Sequence, residues 1–338
     1  MVNKRDFDED DVRSRPARST RPRTKDRPDY SQATQALVIA VDRGRTTCVI
    51  DQSLLVVTAM KSRELGKKSV VVGDRVGVVG DISGSEGSLA RIVTVLPRKN
   101  ALTRTIDDNP GEERIIVANI DQMAIVIAAA NPEPRHGFVD RALVVAFDQG
   151  IKPIIILTKR DLADGKEFLK VYHDLDIDIF QTQKGADLQG LRNILKNKTT
   201  VLLGHSGVGK STLVNALVES ADRMTGQVND VTGRGRHTSS SAVALRLDVG
   251  ADEATEDKTG NTLSVGWIID TPGVRSFGVA HIDLARVIGS FPEFGPVMEN
   301  CPKNCSHNEE GCALNSWDGF DERSRSRLES LRGLLVSQ

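Results

Sequence analysis

Residues 204–212 read Gly-His-Ser-Gly-Val-Gly-Lys-Ser-Thr, and this stretch matches the pattern G-x-x-x-x-G-K-[ST]. It follows the apolar run 199–203 and precedes a helical pattern at 211–220, which is the strand, loop and helix context of a phosphate-binding P-loop. Its glycines let backbone N–H groups surround a phosphate, and the following helix adds a favourable dipole. We therefore predict an α/β nucleotide-binding domain built around this loop. The predicted nucleotide-binding residues of the loop are Gly204, His205, Ser206, Gly207, Val208, Gly209, Lys210, Ser211 and Thr212.

Side chains of the loop and of a second segment carry the chemistry that a nucleoside triphosphate requires. Lys210 is expected to neutralise charge on the β- and γ-phosphates, which also makes it a catalytic candidate, and Ser211 is expected to ligate Mg²⁺. Residues 270–273, Asp-Thr-Pro-Gly, follow the apolar run 265–269. Asp270 therefore ends a strand where a water-bridged contact to Mg²⁺ is needed, and the N–H of Gly273 can contact the γ-phosphate.

Guanine specificity is predicted from residues 158–161, Thr-Lys-Arg-Asp, which follow the apolar run 153–157. GTPases read the base with an Asn-Lys-x-Asp segment, because its aspartate accepts the N1 and N2 hydrogens that adenine lacks. Thr158 replaces the usual asparagine and is expected to weaken this recognition. Residues 182–184, Thr-Gln-Lys, are either a degenerate second base-contacting loop or an ordinary turn. The predicted base-binding residues are Thr158, Lys159, Arg160 and Asp161.

The order of these motifs predicts a circularly permuted GTPase. The base-specificity segment lies before the P-loop, and no matching tetrapeptide occurs after Gly273. The first switch must fall between the P-loop and Asp270, where residues 233–240 are basic and rich in hydroxyls. Thr238 is predicted to supply the second hydroxyl for Mg²⁺, and His237 is a positioner of the catalytic water, an RNA contact or an ordinary loop histidine. Because apolar Val274 stands where many GTPases have a water-orienting glutamine, slow intrinsic hydrolysis is expected.

A second cluster of chemically distinctive residues lies near the C-terminus. Cys301, Cys305, His307 and Cys312 fall within twelve residues, and they include three of the four cysteines of the chain. Four such ligands in one short loop suit a tetrahedral Cys₃His zinc site that is closed and structural. Redox-active or unligated thiols are the alternative. Cys48 lies in a strand pattern and is expected to be an ordinary core residue.

The remaining sequence predicts four segments with different roles. Residues 1–34 form a charged tail that is expected to be disordered, either as a solubility tail or as an RNA-binding arm. Residues 35–105 contain five short β-branched runs, which favour an RNA-binding OB-fold barrel with basic loops at 61–68 and 98–99, although such loops are often simply solvated. From residue 113 to 279, strand and helix patterns alternate as in a parallel sheet, beginning with the apolar stretch 115–130, which is expected to be one buried strand. Residues 280–338 are expected to be helical around the zinc site.

Composition limits the partners and the compartment. The chain has 338 residues and a net charge of −1, so it is not a globally cationic nucleic-acid binder, and RNA contact would have to use local patches. No apolar run reaches the roughly 18 residues of a membrane-spanning helix. The acidic stretch 6–11 is unlike a secretory leader, and four cysteines do not suggest a disulfide scaffold, so a cytoplasmic protein is expected.

Together, these motifs resemble those of the ribosome small-subunit-dependent GTPase A family. The resemblance covers nearly everything after the tail, including 70–76 and 95–104, the P-loop and the Cys/His cluster. It implies an OB-fold, a permuted GTPase domain and a zinc-binding helical domain. It also implies a GTPase that binds GTP and GDP, acts late in maturation of the small (30S) ribosomal subunit, binds its rRNA and is stimulated by that subunit. A monomer without membrane association is expected. The alternatives are an RNA-binding assembly factor with a structural nucleotide site and a P-loop enzyme that acts on a small molecule.

Overall fold

The computed structural model describes residues 30–42, 44–66, 69–106, 109–173, 175, 177–218, 242–247, 266–271, 284–303, 305–317 and 322–336. The predicted tail before residue 30 lies outside these ranges. Within them, no helix is both long enough and apolar enough to cross a bilayer.

The first five strands close into a small barrel. β1 pairs with both β2 and β4, β2 pairs with β3, β3 runs parallel to β5, and β5 pairs with β4. Small and β-branched side chains fill its interior, and Cys48 among them is fully buried, so burial raises its pKa to about 12 and the prediction of a core cysteine is confirmed. The five-stranded, OB-like barrel is also confirmed. The strands are β1 (Thr34–Asp42), β2 (Arg45–Ile50), β3 (Val56–Lys61), β4 (Arg75–Gly80) and β5 (Ala90–Val95).

A hairpin follows the barrel and corrects one prediction. β6 (Ala101–Ile106) and β7 (Asn109–Ala118) form a separate two-stranded antiparallel sheet. The apolar stretch at 115–130 is therefore two strands, because the chain turns at Asn119, where φ is +55°, before β8 (Gln122–Ala128) begins. Val117 and Ile125 contribute to the same core, so hydrophobicity alone does not reveal the break.

The central sheet has the order β10-β9-β8-β11-β13-β12, and β12 alone among these six strands runs antiparallel. All seven residues of β8 are buried, as expected for a strand covered on both faces. β9, β11 and β13 end at the same edge, so the segments at 158–161, 204–209 and 270–271 meet there. The strands are β9 (Lys152–Thr158), β10 (Asp178–Gln181), β11 (Thr199–Leu203), β12 (Val243–Arg246) and β13 (Trp267–Asp270). The helices are α1 (His136–Asp148), α2 (Lys166–Lys170), α3 (Gln189–Leu195) and α4 (Lys210–Leu217).

The barrel is joined to the central sheet by backbone and side-chain contacts. β1 pairs with β12 at Ala40 and Val243, which makes one sheet of eleven strands. Leu37 and Ile39 of β1 belong to the core of the central sheet, whereas Val38 faces the interior of the barrel. The barrel is therefore attached along one face of β1.

The C-terminal segment is helical, as predicted. It contains α5 (Leu284–Gly289), α6 (Gly295–Met298) and α7 (Glu322–Val336), with short 3₁₀ turns at Pro292–Phe294 and Ala313–Asn315. α7 packs against α1 and α5. Its buried leucines share the core of the central domain, so the metal-ligand loop at 301–312 is anchored on the nucleotide-binding fold. These leucines are Leu328, Leu331 and Leu334.

Candidate nucleotide-binding site

The P-loop connects the end of β11 to the start of α4, as the motif predicts. Gly209 has a φ of +93°, which disfavours residues with a side chain. A Cβ on Gly204 would lie 2.4 Å from the carbonyl oxygen of Val126 on the neighbouring strand. Gly209 is therefore required for its backbone conformation, and Gly204 is required because the loop approaches β8 closely.

Lys210 places its charge within the loop. Its Nζ donates hydrogen bonds to the carbonyl oxygens of Gly204 and of His205, the latter at 2.9 Å. Burial lowers the pKa of Lys210, and the nearby carboxylate of Asp270 opposes that shift. The ammonium group is thus held where the motif predicts the β- and γ-phosphates.

Asp270 ends β13 beside the P-loop. The hydroxyl of Thr271 donates to the carbonyl oxygen of Leu202 at 2.9 Å, which fixes this strand end against β11. Oδ1 of Asp270 is buried and has no hydrogen-bond partner in the described part of the chain, and burial raises the pKa of this carboxyl while Lys210 opposes the shift. A buried carboxylate oxygen without a donor, beside Lys210 at the start of α4, fits a hard cation such as Mg²⁺.

Thr158 has a structural partner that sequence reasoning missed. Its side chain is buried, and Oγ1 lies 2.5 Å from the carbonyl oxygen of Val208 and 3.1 Å from that of Ile127. Because a hydroxyl has one hydrogen, the nearer carbonyl of Val208 is the main acceptor. This hydrogen bond ties the end of β9 directly to the P-loop.

The segment after Thr158 lies against two further loops. Lys159 has a φ of +54°, and its Nζ donates to the carbonyl oxygen of Asn131, which follows β8. The amide of Arg160 donates to the carbonyl oxygen of Thr182 at 3.2 Å. The predicted second base loop at 182–184 is therefore adjacent to the first. Asn131 was not predicted, although its Asn-Pro dipeptide is a turn signal.

A side chain outside every motif supports the P-loop helix. Arg192 of α3 donates from Nη1 to the carbonyl oxygen of Leu217 at 2.7 Å and from Nη2 to that of Ala216 at 2.5 Å. These carbonyls end α4 and have no partner within the helix. Arg192 therefore caps the C-terminal end of the helix that begins at Lys210.

Other predicted site residues lie outside the described ranges. These residues are His237, Thr238, Gly273 and Val274, and the roles assigned to them remain predictions.

The metal-ligand loop brings its four predicted ligands together. Their ligand atoms all lie within 4.8 Å of one another. Sγ of Cys301 is 3.8 Å from Sγ of Cys312 and 3.7 Å from Nδ1 of His307. Two sulfurs bound at about 2.3 Å to one tetrahedral zinc would lie about 3.8 Å apart, so these spacings fit such a centre. Cys301, Cys305, His307 and Cys312 could therefore hold a metal ion.

The basic pair at 98–99 has structural partners. Arg98 donates from Nε and Nη2 to the two carboxylate oxygens of Asp74, at 2.6 and 2.8 Å, and Asp74 is fully buried. Lys99 pairs with Asp121 at the start of the central domain. Arg98 and Lys99 therefore stabilise the connection between the barrel and the central domain, which we call the joint. Arg98 is not a free RNA-binding cation. In the 61–68 loop, Nζ of Lys61 donates to the carbonyl oxygen of Gly66 at 2.9 Å, and residues 67–68 lie outside the described ranges.

Fold and site together define a class of protein. A P-loop, a strand-end aspartate and the predicted base-reading segment at 158–161 share one sheet edge, and that segment precedes the P-loop in the chain. This is the arrangement of a circularly permuted GTPase, with a five-stranded barrel before it and a Cys₃His cluster after it.

Comparisons with known proteins agree with this class. Residues 95–280 match the sequence model of the family described as RsgA GTPase. The chain is 33% identical over 278 residues to the small ribosomal subunit biogenesis GTPase RsgA of Gemmatimonas aurantiaca, a match covering 80% of this chain and 85% of that protein. The crystal structure of YjeQ from Thermotoga maritima aligns with a TM-score of 0.62 at 25% identity, over 89% of this chain and 98% of that chain. YloQ, described as a circularly permuted GTPase, aligns with a TM-score of 0.58 at 22% identity, over 91% and 97%. The chain belongs to the RsgA GTPase family.

Proposed function

We propose that this protein hydrolyses GTP and assists late maturation of the small (30S) ribosomal subunit in the cytoplasm. The observation that carries the proposal is the convergence of the P-loop, Asp270 and the 158–161 segment at one edge of the central sheet. The name of the Gemmatimonas relative, a small ribosomal subunit biogenesis GTPase, supports the small ribosomal subunit as the partner.

The chemistry assigned to the site follows from its charges and donors. Water attacks the γ-phosphorus, the bond to the β–γ bridging oxygen breaks, and the products are GDP and inorganic phosphate. Lys210 neutralises the charge on the phosphates, while the carboxylate of Asp161 accepts hydrogen bonds from the guanine base. Ser211 and Asp270 would hold Mg²⁺, which when bound shields the β- and γ-phosphate oxygens.

The remaining predicted residues complete this proposal. Thr238 would add a hydroxyl to the metal, His237 would orient water or contact RNA, and Gly273 would report the presence of the γ-phosphate. The barrel would contact rRNA, and a structural zinc would hold the metal-ligand loop together. Loss of the γ-phosphate would then release the protein from the subunit.

GTP turnover with and without purified small subunits tests the activity. The wild type is expected to be slow alone and faster with subunits, whereas Lys210→Ala should lose about 100-fold or more of the stimulated rate. Lys170→Ala, at an exposed lysine of α2, is the matched control and should keep the wild-type rate. A rate that subunits leave unchanged would favour an RNA-binding assembly factor with a structural nucleotide site.

Binding to the subunit tests the release step separately. Full-length protein should bind small subunits more tightly with a non-hydrolysable GTP analogue than with GDP. Equal affinity in the two states would contradict release by hydrolysis, even if turnover were stimulated.

A further inference from the structure

The segment 131–140, which we call the α1 wedge, lies between two predicted nucleotide-binding segments, 158–161 and 204–212, and the helical C-terminal segment. We call that segment, which contains α5, α6 and α7, the C-terminal domain. At its start, the carbonyl oxygen of Asn131 accepts the hydrogen bond from Lys159 of the base-reading segment. Cδ of Pro132 is 3.9 Å from the position that a Cβ on Gly207 would occupy, so the wedge also approaches the P-loop. Its first residues therefore touch both predicted nucleotide-binding segments.

The first turn of α1 continues these contacts. The ring of Phe138 lies against that of His205 in the P-loop, with 4.4 Å between their centroids. His136 stacks on Phe168 at 4.1 Å, and its Nδ1 lies 3.0 Å from the hydroxyl of Tyr172. The first turn of α1 therefore supports the P-loop, and contacts with Phe168 and Tyr172 hold that turn in place.

The opposite side of α1 is clamped by the C-terminal domain. Nη1 of Arg327 in α7 donates to Oδ1 of Asp140 at 2.7 Å, and both side chains are almost fully buried. Nε of the same guanidinium pairs with Glu293 at 2.7 Å, and its carbon lies 4.4 Å from the ring centroid of Phe291. Such a buried pair is costly to break, because the remaining charge would stay in an apolar environment.

The helical geometry makes these two contacts act on one rigid body. Successive residues of an α-helix are rotated by about 100°, so Phe138 and Asp140 point to roughly opposite sides of α1. A shift of α1 that loosens the clamp at Arg327 must also move the ring that supports His205.

We propose that the α1 wedge positions the P-loop for nucleotide binding, with Phe138 and Asp140 as positioning residues and Arg327 as the clamp from the C-terminal domain. The proposal rests on the proposed function, because it presupposes that the P-loop binds a guanine nucleotide. The C-terminal domain then affects nucleotide affinity through α1. This effect requires no contribution from residues 272–283, which lie between Thr271 and α5 in the sequence.

The first test compares affinities for a fluorescent GDP derivative in the full-length protein. Phe138→Leu and Asp140→Asn should each weaken binding by about 5- to 20-fold, which is the lower part of the usual range for coupling between sites. The double variant should be little worse than the weaker-binding single variant, because both changes act through the same helix. Phe147→Leu and Asp148→Asn make the same substitutions in the last turn of α1, outside the wedge, and should stay within twofold of the wild type.

The second test measures amide hydrogen exchange at saturating GDP, which removes differences in affinity. In the wild type, GDP should slow exchange in both α4 and residues 328–335 of α7. In Phe138→Leu, the effect on α4 should remain and the effect on α7 should be lost. Arg327→Lys, which keeps the charge, should retain part of the effect on α7.

Each outcome separates the wedge from the proposed function. If thermal unfolding shows that Asp140→Asn is not folded, Phe138→Leu still tests the wedge, because Phe138 is only half-buried. Affinities within twofold of the wild type in Phe138→Leu, with no effect of GDP on α7 in the wild type, would overturn the wedge alone. Failure of the wild type to bind GDP would overturn both the wedge and the proposed function.

Discussion

Replacing Thr158 with valine tests whether the predicted base-reading segment at 158–161 holds the P-loop in its binding conformation. Valine keeps the branched shape but places a methyl group where Oγ1 lies 2.5 Å from the carbonyl oxygen of Val208. Since a carbon and a carbonyl oxygen approach to about 3.3 Å, the P-loop must move by about 0.8 Å. The carbonyl also loses its donor, which costs about 1–3 kcal/mol. The free loop can relax away from the methyl group, but nucleotide binding requires the original geometry, so the cost becomes a loss of affinity of roughly 5- to 150-fold.

Titration with fluorescent GDP, together with thermal unfolding, measures this effect. Thr158→Ser keeps the hydroxyl and should retain most of the affinity, and Thr103→Val in β6 makes the same substitution outside the site. If Thr158→Val bound GDP as tightly as Thr158→Ser, the hydrogen bond to Val208 would not position the P-loop, and the positioning role of Thr158 would be refuted.

Three further predictions concern the joint, the metal centre and the pH dependence of stability. Asp74→Asn should lower the free energy of unfolding by about 3–5 kcal/mol in urea titrations, because it breaks a buried bidentate pair with Arg98. Asp81→Asn, at an exposed position, should have little effect. Equal unfolding midpoints for the two variants would show that the pair with Arg98 is dispensable. Cys312→Ser should contain less metal by elemental analysis and unfold at a lower temperature, whereas Cys48→Ala should keep the metal. Full metal content in Cys312→Ser would contradict the four-ligand site. Burial and the nearby charge of Arg327 hold the pKa of His136 below its ordinary value of 6.5, so the unfolded chain binds the proton more readily, and stability should fall as the pH decreases below 6.5. His136→Gln should reduce this dependence between about pH 7.5 and 5.5 in urea titrations, and an unchanged slope would exclude His136 as its source.

The sequence predicts those parts of the fold that depend on local pattern. The P-loop could be placed to the residue, because its glycines are required by a backbone that only a few sequences can adopt. The permuted order followed from the position of Asp161 before Lys210. The Cys₃His cluster was predictable because its four ligands lie within one short loop, so their spacing in sequence limits their spacing in space.

Contacts between distant segments could not be predicted in the same way. Arg98 belongs to a basic pair, but its partner Asp74 lies 24 residues away, and only the fold shows that the charge is used at a joint. The pair between Asp140 and Arg327 spans 187 residues, and neither side chain belongs to a motif. The break between β7 and β8 does not stand out in the sequence, because apolar residues such as Val117 and Ile125 lie on both sides of it. The strands are separated by residues 119–121, where Asn119 has a positive φ.

The central claim is that a segment preceding the P-loop reads guanine in a permuted GTPase. The most direct test is the ratio of dissociation constants for GDP and xanthosine diphosphate in the wild type and in Asp161→Asn. A carboxylate accepts the N1 and N2 hydrogens of guanine, whereas an amide can donate to the oxygen at position 2 of xanthine. The wild type should therefore prefer GDP and the variant xanthosine diphosphate. An unchanged ratio would show that Asp161 does not contact the base, which would contradict the permuted assignment.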